Sequence, residues 1–143
     1  MAAADFYFAI NATFRFILQN YGQKALVDYW HALGTEYYAP LIERFRSGGL
    51  DEVERYWQAF FEEEPGGQVT VAQHDGAVEI DVRKCPAVHW LRANHREIVQ
   101  NFCRHCCHVS TAIADRAGLE FSLEGGDGTC RQEFREGGRG VSS

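Results

Sequence analysis

Every thiol in this chain lies between Cys85 and Cys130; the first 84 residues contain none. The segment opens with Cys85-Pro86, passes through Cys103-Arg104-His105-Cys106-Cys107-His108, and closes with Gly126-Asp127-Gly128-Thr129-Cys130. Four of the six histidines, His89, His95, His105 and His108, lie in the same segment. Cysteines three or four apart on a helix place their sulfurs on neighbouring turns. Such a pair, completed by Cys85 and Cys130, could form a tetrahedral zinc centre from Cys85, Cys103, Cys106 and Cys130, with His105 or His108 as a substitute ligand. Iron is the weaker metal candidate, because the spacing matches no ferredoxin run. The same residues could instead do thiol chemistry, since a cysteine beside a histidine can attack an electrophilic carbon. Cys106 and Cys130 are then the candidate nucleophiles. His95, His105 and His108 are candidate bases, of which His95 shares the Cys106 face if the helix is continuous. A third reading makes Cys106 and Cys130 small core hydrophobes.

The elements that must position these residues follow from periodicity. Residues 5 to 20 read as a helix through Phe6, Ile10, Thr13, Phe14, Ile17 and Leu18. A second helical pattern runs from Gln23 to about Arg46, interrupted by Gly34 and Pro40, with a kink or break expected near Pro40 and an end at Ser47-Gly48-Gly49. A third spans about Asp51 to Glu64 and stops at Pro65-Gly66-Gly67. The pattern then switches to alternation. Val69 and Val71, then Val78, Ile80 and Val82, flank Asp75-Gly76, a two-residue hairpin signal. Cys85 has the opposite parity, so it leaves the core face or sits where the strand bends. Pro86 can open a short helix. Asn94-His95-Arg96-Glu97 resembles a helix cap and predicts a long helix from His95 to Ala117, ended by Gly118. Two more strands follow, with Cys130, Gln132 and Phe134 on one side of the last. The expected fold is α+β, in the order ααα-ββ-α-ββ, with a four-stranded antiparallel sheet packed against helices. Residues 1–136 form one domain and 137–143 a flexible tail. The aromatic stripe containing Tyr29, Trp30, Tyr37, Tyr38 and Trp57 is core, or the wall of a pocket in which Trp30 contacts a small planar ligand.

Composition narrows the class. The chain has 143 residues and a net charge of −6, with only two lysines. That balance argues against a general nucleic-acid binder. No apolar run approaches a membrane span, and the first residues lack the pattern of a signal peptide. The expectation is a cytoplasmic protein with free thiols. Its partner would be a small-molecule substrate or ligand, with a homo-oligomer left open.

Several of these motifs together resemble a known family. Cys85-Pro86 at a strand end, a cysteine pair about twenty residues on, Gly118, and a closing Gly-Asp-x-x-Cys-x-x-x-Phe from Gly126 to Phe134 are similar to the L-2-amino-thiazoline-4-carboxylic acid hydrolase family. More distantly, the segment resembles vinyl-reductase-like small-molecule-binding domains, which can hold zinc through cysteines. The first resemblance implies hydrolytic opening of a cyclic amidine of the 2-aminothiazoline carboxylate type, a hydrolase reaction at a non-peptide C–N bond. It places Cys85, Cys103, Cys106 and Cys130 on the family's cysteine positions, whereas Cys107 and His108 depart from the pattern. Arg104, Arg131 and Arg135 become candidate partners for a substrate carboxylate. The second resemblance implies a non-catalytic binding module with a structural, cysteine-ligated zinc.

Overall fold

A computed structural model describes residues 3–64 and 66–137. The expected order ααα-ββ-α-ββ holds, with one further short helix between the two hairpins. The elements are α1 (Ala3–Tyr21), α2 (Gln23–Ala32), α3 (Ala39–Glu62), β1 (Gln68–His74), β2 (Ala77–Lys84), α4 (Pro86–Ala93), α5 (Arg104–Ala117), β3 (Leu119–Gly126) and β4 (Thr129–Glu136). The expected tail lies outside the described residues apart from Gly137.

The four strands form one antiparallel sheet in the order β1-β2-β4-β3. Both hairpins turn through two residues with positive φ: Asp75 and Gly76 (50° and 76°), then Asp127 and Gly128 (56° and 104°). Asp and Gly tolerate the left-handed region that such turns need. Val78, Ile80, Val82, Gln132 and Phe134 are all buried on the sheet's inner face. They meet Phe45 and Val53 of α3 and Ile113 and Ala114 of α5 in one core. A second core lies on the far side of α5, built from Tyr7, Phe14, Leu26, Trp30, Leu91 and Phe102. Cys85 and Val109 pack against both, so they mark the seam between the cores.

The helices depart from the sequence reading in four places. Phe6 is 52% exposed, while Tyr7 and Asn11 face inward, so the buried stripe of α1 is rotated from the expected one. α2 and α3 are joined by a π-helical turn, Leu33–Tyr37, rather than by a simple kink at Pro40, which opens α3 instead. The turn presses Gly34 onto α5, where a Cβ would lie 2.7 Å from both Ala112 Cβ and Val109 O. The expected stop at Ser47-Gly48-Gly49 is a kink within α3 at Gly49, whose φ of 63° breaks the helical path.

The fourth departure matters for the site. The long helix predicted from His95 begins only at Arg104; residues 94–103 are irregular. Asn11 explains why. Its side-chain amide donates to Glu97 O at 2.9 Å, and its Oδ1 accepts from Val99 N at 3.0 Å. Two backbone groups that a helix would use are therefore bound to a side chain of α1. His95 and Asn101 take left-handed φ values of 56° and 64°, which no continuous helix contains.

Candidate functional site

Four cysteines reach the seam from four separate places. Cys85 follows the last residue of β2 and is the N-cap of α4. Cys103 precedes the first residue of α5, Cys106 lies in its first turn, and Cys130 lies on β4 opposite Val82. They come close enough for their charges to act on one another: Cys106 and Cys103 both raise Cys85 and Cys130, and Cys106 raises Cys103. Cys107 is half-buried and stands outside this set.

Burial dominates their chemistry. It pushes the Cys85 and Cys106 thiols up to about 11, and raises Cys103 and Cys130 as well. At Cys85 the amides of Val88 and Ala87, at the start of α4, oppose the rise. At Cys103 the amides of Asp127 and Gly128 do so, from the β3–β4 turn. At Cys130 the side-chain amide of Gln132 donates to the sulfur at 3.5 Å. The turn is tied to the other cysteine too: Gly128 O accepts from Cys85 N at 2.9 Å, and Asp127 O accepts from Arg92 Nη1 at 3.2 Å.

Cys106 alone of the four has a histidine at its sulfur. His105 Nε2 lies 3.6 Å from Cys106 Sγ. His105 Nδ1 lies 2.6 Å from Phe102 O. A carbonyl only accepts, so the proton sits on Nδ1 and the lone pair of Nε2 faces the thiol. The ring is enclosed by Phe14, Trp30 and Phe102. Burial holds its pKa below the ordinary histidine value, partly offset by the bond to Phe102 O, and so favours the neutral base. Tyr7 and Tyr38 reach the same region, since the charge of Cys106 raises both phenols; burial is the larger cause in each. Tyr7 also donates to Glu64.

The remaining candidates are placed as follows. His95 is exposed on the loop after α4, off the helix that carries Cys106, so the shared face that favoured it does not exist. His105 occupies the position expected of His95. Trp30 is fully buried beneath the stacked ring of His108, and its indole N–H has no hydrogen-bond partner among the described residues. Its burial places it in the second core, outside both clefts described below. Arg131 is exposed near Glu79, at 3.9 Å, on the sheet face opposite Cys130 and Gln132. Arg135 pairs with Glu133 on the same outer face. Arg104 does line a cleft, of about 380 Å³, together with Arg92, Cys103 and Asp127. A second cleft of about 420 Å³, beyond Arg92, is lined by Cys85 and His89. Among the described residues, no three or more His, Cys, Asp or Glu side chains stand where they could hold a metal ion. The four cysteines converge without reaching the geometry expected of a zinc or iron centre.

Sequence reasoning passed over Asn11 and Arg92. Asn11 carried a signal, a polar residue on the stripe between Tyr7 and Phe14. Arg92 carried none, because its place depends on the distant turn at Asp127. No protein-family model matches the sequence, and no curated protein matches it.

Proposed function

We propose that this chain is a hydrolase of a non-peptide C–N bond in a small cyclic amidine, with Cys106 as nucleophile and His105 as its base. The observation that carries the reading is the Cys106–His105 pair, oriented by Phe102 O. Nucleophile, base and a third group that fixes the base form the arrangement thiol catalysis needs. The amidine substrate comes from the resemblance of the Cys85 to Phe134 segment.

The chemistry would run from a neutral pair. With Cys106 pushed up to about 11, roughly one thiol in ten thousand is ionised at pH 7. A free thiolate there costs about 5 kcal/mol. The proton would therefore pass from Sγ to Nε2 as sulfur bonds to the amidine carbon. The resulting imidazolium would return it to the ring heteroatom as that bond breaks. Water, deprotonated by the same nitrogen, would then cleave the carbon–sulfur bond and regenerate the thiol. One water is consumed and one ring bond opened.

The raised thiols favour a second reading, a non-catalytic module that binds a small molecule. Incubation with 2-aminothiazoline-4-carboxylate separates the two. The hydrolase reading expects ring opening by the native chain, abolished in Cys106→Ser and reduced on the order of 100-fold or more in His105→Gln. Absence of turnover would leave the binding module, and full turnover by Cys106→Ser would rule out Cys106 as the nucleophile.

A further inference from the structure

The cleft beside Cys103 has features that the thiol pair does not explain. Its volume of about 380 Å³ suits a small molecule. Val88, Ile98, Val99 and Phe102 give it an apolar side, and Cys103 places a thiol in its wall. Its charged residues are Arg92, Arg104 and Asp127. Two arginines against one aspartate leave a single positive surplus on a chain whose net charge is −6.

These arginines differ from most others in the molecule. Arg44, Arg46, Arg55, Arg83, Arg131 and Arg135 each lie within 4 Å of a carboxylate. Arg92 and Arg104 have no such partner among the described residues. Arg92 is fixed in place by a neutral acceptor, Asp127 O, which leaves most of its donors unused. Arg104 stands at the start of α5, one residue from Cys103.

We infer that this cleft binds a small monocarboxylate with an apolar body, its anion held between Arg92 and Arg104 and its body against Val88, Val99 and Phe102. The single surplus charge matches a monoanion better than a dianionic phosphate. The planar donors of arginine match the two oxygens of a carboxylate. The site rests on the hydrolase reading for its class of ligand and deepens it, adding Arg92 and the apolar wall as the groups that would hold the carboxylate ligand.

Calorimetric titration with thiazolidine-4-carboxylate tests this. That ring has no amidine carbon to hydrolyse, so failure of the hydrolase reading leaves the titration unaffected. The expected result is saturable binding that weakens with salt, is lost in the methyl ester, and falls about tenfold or more in Arg104→Gln and in Arg92→Gln. Arg104→Gln breaks no side-chain hydrogen bond or ion pair seen among the described residues, and circular dichroism checks the fold of both variants. Arg131→Gln, on the outer sheet face, should bind as the native chain does. Equal binding of acid and ester, unchanged affinity in Arg104→Gln, or stronger competition by inorganic phosphate than by acetate would overturn the inference.

Discussion

At the residue scale, the chemistry rests on one contact and on the state of its base. His105 Nε2 faces Cys106 Sγ only while Nδ1 keeps its proton for Phe102 O. Asparagine at position 105 can at best mimic one of these two roles, so His105→Asn should lose most turnover while retaining bound ligand. The pH profile gives an independent check. Burial lowers His105, so its protonation, and with it the acid limb of kcat/KM, should fall below the ordinary histidine value of about 6.5. An acid limb above that value would contradict the neutral base. Both residues were candidates from the sequence, but their direct contact was not legible, because adjacent residues on a regular helix do not face each other. The contact forms in the first turn of α5, where His105 N bonds Phe102 O at 3.2 Å.

At the element scale, the site depends on how the loop before α5 is held. Asn11 binds Glu97 O and Val99 N across more than eighty residues of sequence. Asn11→Ala would leave Val99 N unpaired, while Glu97 O would keep its bond from Arg15, and would destabilise the fold by about 2 kcal/mol. Urea denaturation would show this as a lower midpoint. It would also free the loop that carries Cys103, so alkylation of Cys103 should accelerate. Gly34 holds the other side of α5: with 2.7 Å left for a Cβ, Gly34→Ala should cost roughly 1–3 kcal/mol. The hairpins were legible because Asp-Gly pairs encode their own turn geometry. The start of α5 was not, since a capping pattern at Asn94 is local and the competing bonds from Asn11 are long-range. The same misplaced start put His95 on the Cys106 face.

At the scale of the whole molecule, two cores meet at a seam marked by Cys85, with Cys130 packed against one core and Cys103 against the other. The antiparallel sheet and the order of elements followed from period and parity. The division into two cores did not, because it depends on which side of α5 each helix packs. The seam has a consequence for stability against pH. In the unfolded chain these thiols ionise near 9, whereas in the fold Cys85 and Cys106 hold their protons to about 11. The unfolded state therefore releases protons first as pH rises, and stability should fall between pH 9 and 11. Each of the two thiols would contribute on the order of 3 kcal/mol to that loss. Cys106→Ala should flatten part of the decline, as read from unfolding free energies across that range. A molecule whose stability rose over the same range would hold these cysteines as thiolates.

The central claim is that Cys106 bonds to the substrate carbon. Acid quenching of the chain during turnover of 2-aminothiazoline-4-carboxylate, followed by mass spectrometry of the peptide covering residues 105–116, tests it most directly. That peptide contains Cys106 and Cys107, and fragmentation separates them. The account predicts an added mass on Cys106 that disappears when substrate is exhausted. An adduct on Cys85, Cys103 or Cys130, or turnover without any protein-bound species, would contradict it.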